Sequence, residues 1–330
     1  MIIQEQIVQV LAISYSSFGN LFSYSPPKRG DTIEYFDDTN RTFVGPRTVL
    51  PILASATASI GQILPVQAPY QNSSYLTTFF GPIVECSAAG PHTVESIDKV
   101  LQDDMNTVVG TATQMESAYL GFVPSYNDSG DLVPLSMPRF QTPSNSTNQL
   151  WITFLRYVIN PEGLRTTERQ YQVCKLHNAS FDVHLEWRAG SQNITLSYDI
   201  LEEVEYPTEG PGETTNIVQH AYSAYFWALA DQLVGKFAWF ENSNQTRSVR
   251  APEYGIIQSP IQHSSLLGSS DLDPYFDLNE RGLNKSTAIA PPKGQRLRDK
   301  QLARNRTLDI LITELSVNFT VTMLTNELLT

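Results

Sequence analysis

The stretch "CKLHNASFDVHLEW", Cys174 to Trp187, gathers a cysteine, two histidines and two carboxylates within fourteen residues. In an extended chain, alternate side chains share a face, so Asp182, His184 and Glu186 fall together. A histidine between two carboxylates is a donor set for a divalent cation or a proton relay. The next segment can fold back on it. Phe181, Val183, Leu185 and Trp187 alternate with polar residues, and so do Ile194, Leu196, Tyr198 and Ile200. With Gly190-Ser191 as a two-residue II′ turn, which wants glycine first, the pairs 181/200, 183/198, 185/196 and 187/194 lie opposite each other and are all apolar. Asp199 then faces Asp182. The metal candidate is therefore Asp182, His184, Glu186 and Asp199. Two opposed aspartates repel, and Arg188 and Asn193 share their face. The same residues also read as the solvated side of a half-exposed antiparallel hairpin. That second reading is the expectation adopted, with no catalytic residue, metal or cofactor assigned.

Other clusters are less pointed. "DLDPYFDLNE" (271–280) offers Asp271, Asp273, Asp277 and Glu280, but lacks the EF-hand glycine and carries Pro274, so it reads as an acidic surface loop. His92, His177, His220 and His263 show no paired ligand spacing. There is no G-x-S-x-G elbow and no glycine-rich phosphate loop. Glycosidase chemistry needs two carboxylates facing across a cleft, which spacing along one chain does not reveal. "KGQRLRDKQLARNR" (293–306) is basic and reads as a solvated approach to the last helix.

Composition narrows the classes. The chain has 330 residues, room for one large domain or two at about 150 residues each. Charged residues make up 17%, below the ~25% of an ordinary soluble domain. The net charge of −12 argues against a general affinity for nucleic acid or anionic lipid.

Asparagine carries the compartment signal. Ten of the 18 asparagines open an N-x-[ST] triplet: Asn40, Asn72, Asn127, Asn145, Asn178, Asn193, Asn244, Asn284, Asn305 and Asn318. Chance gives roughly three at this Ser and Thr content, and the triplet is an N-glycosylation acceptor in a secreted context. The two cysteines, Cys86 and Cys174, are expected to form a structural disulfide in such a compartment. Both follow strand-like segments, so the bridge would tie two parts of one sheet or sandwich. The start, "MIIQEQIVQVLAIS", has no basic n-region and carries Glu5, which makes a poor signal peptide. No run of about 18 or more apolar residues occurs. Sequons without an entry signal suggest a piece of a longer membrane protein.

The elements that must position these residues read as follows. Residues 47–64 allow a short helix after Pro51. Residues 68–86 read as a strand with a Gly-Pro break. Thr93 can cap a helix with the stripe Val94, Ile97, Leu101, Met105 and Val108. "ESAYLGFVP" and "LWITFLRYVI" are strands. The spacing of Ile217, Ala221, Tyr225, Ala228, Leu229, Leu233, Phe237 and Phe240 predicts one helix over 216–240. Residues 242–300 read mostly as loop. The segment from Thr307 reads as a helix with the stripe Leu308, Ile312, Leu315, Phe319 and Met323.

Three stretches, "ILPVQAPYQNSSYLTTFFGPIVEC", "YQVCKLHNASFDVHLEW" and "RTLDILITELSVNFTVTMLTNELL", together resemble the large extracytoplasmic domain of a group of uncharacterised fungal multi-pass membrane proteins. In that group an N-S-S-Y…F-x-G-P…C segment precedes a C-x-L-x-N-A-S-[FY] segment, and a helix with an N-F-T-type sequon leads to a membrane span. The resemblance covers roughly residues 45–330. It implies membrane spans on both sides of this chain, and no activity. Some members bear a deformylase-like label, but the H-E-x-x-H of such hydrolases is absent here.

The expectation is an α+β, β-rich fold of mainly antiparallel, sandwich-like sheets with two or three packed helices. Residues 1–60 would be an irregular, membrane-proximal segment. Residues 61–330 would form a single extracellular or lumenal domain. Its expected role is non-catalytic: surface structure, sensing or binding of a cell-wall glycan or another surface protein, without nucleic acid. A carbohydrate-active hydrolase using paired carboxylates is the alternative, as is a lectin-like sandwich.

Overall fold

The structure is a computed structural model. It describes residues 22–25, 42–46, 49–66, 70–105, 108–109, 112–127, 129–135, 147–206, 217–242, 260–276 and 293–325. The elements, in chain order, are β1 (Phe22–Ser25), β2 (Thr42–Pro46), α1 (Val49–Ile60), β3 (Ser73–Ala88), α2 (Pro91–Met105), β4 (Val108–Val109), β5 (Ala112–Tyr126), β6 (Leu132–Leu135), β7 (Gln149–Ile159), β8 (Arg165–Arg188), β9 (Ser191–Glu203), α3 (Ile217–Ala230), β10 (Gly235–Asn242), α4 (Lys293–Ala303) and α5 (Leu308–Thr325). Three short 3₁₀ turns lie between Pro260 and Leu272.

The fold is α+β. Strands β3 to β10 form one antiparallel sheet of eight strands with the spine β10-β5-β7-β8-β3, while β1 and β2 form a separate pair. Helices, not a second large sheet, supply the layer packed against it. The spine is held by β8, 24 residues long. One edge of β8 pairs with β3 from Gln172 to Trp187. Its other edge pairs first with β7, up to Lys175, and then with β9, from His177 onward. The sheet thus has two ends, joined by one strand.

Different helices cover each end. Around β5, β7 and the first half of β8, one face packs on α1, α3 and α5 through Leu50, Ala54, Tyr119, Leu150, Ile152, Phe154, Tyr225 and Phe319. The opposite face packs on α2 through Ile97, Leu101, Leu120, Phe122, Trp151 and Val173. Around β3, β8 and β9, Phe79, Ile83, Phe181 and Val183 pack on Val317 and Val321 of α5. The other face of that end lies open.

Helix α5 makes this arrangement possible because it runs along the free edge of β3. It is buried or half-buried on nearly every side, with only Ile310 exposed between Leu308 and Leu324, so it is enclosed by protein. Leu308, Ile312, Leu315, Phe319 and Met323 join one core and Val317 and Val321 the other. Between those stripes, Ser316 and Thr320 meet the strand edge itself: Val84 N–H donates to Ser316 Oγ at 2.6 Å, and Thr320 Oγ1 donates to the Pro82 carbonyl at 2.6 Å. Gly81 lets the helix come this close, since a Cβ there would stand 3.0 Å from Thr320 Cγ2.

Several sequence readings change. The strand expected to break at Gly81-Pro82 runs on to Ala88. Proline, lacking an N–H, is tolerated on an edge strand, and β3 is the edge that α5 covers. The helix expected over 216–240 ends at Ala230, and Gly235 to Asn242 pair with β5 instead. Gly235 sits at φ 122°, a conformation that only glycine enters freely, and beyond it Phe237 is buried as a strand residue. Val108, expected at the end of α2, is in β4. Helix α2 itself starts at Pro91, a residue suited to a first helical turn. Residues 242–300 are not mostly loop where described, since they hold the 3₁₀ turns and most of α4. Helix α1 lies before the expected boundary at residue 60, yet Leu50, Leu53, Ala54 and Ala58 belong to the main core.

Candidate functional site

The β8–β9 hairpin forms as expected, but two residues out of the expected register. The turn is Ala189-Gly190, with φ of 50° and 79°, positive at both positions as a type I′ turn requires. The facing pairs are Phe181/Tyr198, Val183/Leu196, Leu185/Ile194 and Trp187/Gln192. A shift of two keeps every side chain on its face, so the division into core and solvent sides holds while the partners change. Asp182 lies opposite Ser197, and Asp199 opposite Ser180. The expected Asp182/Asp199 pair is therefore not formed.

On the open face Asp182, His184 and Glu186 are each met by a neighbour. Asp182 is exposed and accepts from Thr78 Oγ1 at 2.5 Å. His184 Nε2 lies 2.7 Å from Ser74 Oγ. Arg188 Nε donates to Glu186 Oε1 at 2.8 Å, and this contact, chief among others, holds the Glu186 carboxyl below its usual range. A Ser–His contact is where nucleophilic hydrolysis begins, but here it stands on an exposed strand with no third group bonded to the other ring nitrogen among the described residues. No group of three or more His, Cys, Asp or Glu is placed to hold a metal ion among the described residues. Asp182, His184, Glu186 and Asp199 accordingly line an open sheet face and do not converge.

Cys86 and Cys174 do meet. They are direct cross-strand partners in the β3/β8 register and form a disulfide across 88 residues of sequence. Cys174 is fully buried in the main core. The bridge fastens the edge strand to the central strand inside one sheet.

Of the ten sequons, Asn72, Asn127, Asn178, Asn193, Asn305 and Asn318 are described. Asn40, Asn145, Asn244 and Asn284 lie outside the described residues. Asn72, Asn127, Asn193 and Asn305 are exposed, whereas Asn178 and Asn318 are half-buried.

The acidic loop and the basic segment turn out to serve each other. Asp271, only 1% exposed, is no surface residue. Arg156 grips it with two hydrogen bonds, at 2.5 and 2.9 Å. The same carboxylate accepts from the Leu308 N–H at 2.7 Å, placing negative charge at the N-terminus of α5, where the helix dipole favours it. Arg156 is pushed further up in pKa, first by this hydrogen bond. Asp273 pairs with Arg296 and Lys300 of α4. Asp277 and Glu280 lie outside the described residues. Two of the four expected loop carboxylates are thus committed to cations of the protein itself. Sequence reasoning missed Arg156–Asp271 because the partners are 115 residues apart. An arginine inside the apolar run of β7 was the available signal, since a charge so placed needs a partner.

Among the described residues no single helix is long and apolar enough to cross a membrane. Helices α4 and α5 pass such a test together, but they bend by 86° and α5 is a core helix. In comparisons with known proteins, no family model, no curated protein and no solved structure matches this chain.

Proposed function

We propose that this chain is a non-catalytic, N-glycosylated extracytoplasmic domain of a fungal membrane protein, on the extracellular or lumenal side. Its role is in surface structure, sensing or the binding of a cell-wall glycan or another surface protein. The observation that carries the reading is the set of ten sequons in a chain whose only two cysteines are joined. Disulfides persist in oxidising compartments and are rare in the cytosol, and four of the six described sequons present an exposed asparagine. The open β3–β8–β9 face, where exposed Leu76 and Phe80 stand among Thr78, Asp182, His184 and Glu186, is the surface offered to a partner.

Two measurements test the compartment. The protein is purified from a eukaryotic secretory host with thiols blocked at lysis, then treated with an enzyme that removes N-glycans. A fall of several kilodaltons in apparent mass and a bridged Cys86–Cys174 peptide are expected. An unchanged mass, or free thiols at both cysteines, would sink the reading.

A further inference from the structure

Strand β9 is 13 residues long and pairs with β8 on its inner side. Among the described residues no strand pairs with its outer side. An unpaired edge is a template for another chain, and proteins guard such edges with charge, proline, bulges or a covering element; the far end of β9 has Asp199, Glu202, Glu203 and a bulge between Ile200 and Glu203. At the opposite edge of this end of the sheet, α5 covers β3. On β9 the run Ser191 to Tyr198, "SQNITLSY", holds no charge, no proline and no glycine. Ile194 and Leu196 alternate along it and are only half-buried.

That unguarded run contains the sequon Asn193-Ile194-Thr195. In a strand, positions i and i+2 share a face, so the acceptor amide and the hydroxyl of the triplet stand side by side. Both residues are exposed, and the Asn193 amide meets only the Glu186 carboxylate that faces it across the hairpin among the described residues. Two other sequons differ. Asn318 lies within α5, where Phe319 and Thr320 are buried and the Thr320 hydroxyl is bonded to the Pro82 carbonyl. Asn178 has both ends of its amide occupied: Oδ1 accepts from the Tyr222 hydroxyl and Nδ2 donates to Glu202.

We infer that Asn193 carries an N-linked glycan that guards the bare edge of β9 against pairing with a second copy of the chain, and that Asn178 and Asn318 remain unmodified in the folded protein. The inference rests on the secretory reading above. The transfer forms a bond between Asn193 Nδ2 and the anomeric carbon of a sugar. It breaks that carbon's bond to the pyrophosphate of a polyprenyl-linked oligosaccharide donor, which leaves as the polyprenyl pyrophosphate, and the amide proton is released. An N-linked glycan is bulky and solubilising, and at Asn193 it stands beside the outer backbone groups of the strand.

The test uses the full chain secreted from a eukaryotic host. Glycopeptide mapping is expected to find sugar on Asn193 and none on Asn178 or Asn318. Light scattering is expected to show a monomer that doubles or more in mass after enzymatic glycan removal. Asn193→Gln and Thr195→Ala, two independent losses of the sequon, should associate in the same way, and Asn193→Gln combined with Ser197→Lys should be monomeric again. Sugar on Asn178 or Asn318 with none on Asn193 overturns the inference alone. Sugar on Asn193 whose removal leaves a monomer overturns the guarding role. A secreted chain with no sugar at any sequon overturns the secretory reading, and the inference with it.

Discussion

The hydroxyl of Ser316 accepts the backbone N–H of Val84 at 2.6 Å, one turn of helix before Thr320 donates to the Pro82 carbonyl. Four residues of α-helix rise about 6 Å and two residues of strand about 6.8 Å, so hydroxyls spaced i, i+4 match strand groups spaced i, i+2. The Tyr225 hydroxyl lies 2.8 Å from Ser316 Oγ and 3.1 Å from Thr320 Oγ1, which joins α3 to the same junction. An edge strand inside a core is thereby satisfied by side chains in place of a ninth strand.

Removing Ser316 Oγ leaves a buried N–H without its partner. Ser316→Ala is expected to cost about 1–3 kcal/mol, read as a lower urea midpoint with unchanged slope. Hydrogen exchange at the Val84 amide should quicken in the same variant. Full protection at Val84 would show that another group holds the edge.

Arg156 and Asp271 form a largely enclosed pair, with exposures of 32% and 1%. Breaking such a pair from one side leaves an uncompensated charge. Arg156→Met is expected to lose about 3–5 kcal/mol. Adding Asp271→Asn should recover part of that loss, because the amide is neutral and its oxygen still accepts from the Leu308 N–H. Equal urea midpoints for the single and double variants would refute the role assigned to the charge.

The disulfide closes a loop of 88 residues. In the chain-entropy picture it contributes about 4–5 kcal/mol, mainly by restricting the unfolded chain. A Cys86→Ala, Cys174→Ala double variant should therefore unfold at markedly lower denaturant, and more of the loss should fall on the unfolded side than on native contacts. A midpoint within error of the parent would contradict a bridged native state.

Tyr171 donates to Asp98 Oδ1 at 2.5 Å and fastens α2 to β8. Burial, then the bond to Asp98 and its charge, push the phenol up to about 12 from its ordinary value of 10.0. The folded state thus favours the protonated phenol. Its contribution is complete below pH ~10 and is lost as pH rises toward 12. Tyr171→Phe should lower stability at neutral pH and flatten the decline between pH 10 and 12 relative to the parent. Parallel pH profiles would falsify this account.

Much of the β8–β9 hairpin was legible because period-two alternation assigns faces without reference to any partner. Phe181, Val183, Leu185 and Trp187 do face the core, and Asp182, His184 and Glu186 do face away. The same property hides the register: a slip of two residues preserves every face, and the preference between Gly190-Ser191 and Ala189-Gly190 as the turn is a local one that alternation does not inform. In α3 and β10 the failure is of another kind. Apolar spacing that fits a helix through Phe240 also fits a helix, a glycine and a strand, and pairing with β5 decides between them.

What the sequence determined by itself is local or compositional: the α+β, strand-rich class, the apolar stripe of α5, the sequons and the presence of a single possible cysteine pair. Each depends on residues near one another in the chain. The tertiary structure decided which distant groups meet: Cys86 opposite Cys174, Arg156 around Asp271, Ser316 on Val84. Those contacts depend on where β8 runs relative to β3 and α5, which is settled by the packing of whole elements and leaves no periodic trace in the chain. For the same reason the carboxylates of the opening stretch, close in sequence, lie spread along an open face, while the enclosed Asp271 carboxylate pairs with Arg156, 115 residues away.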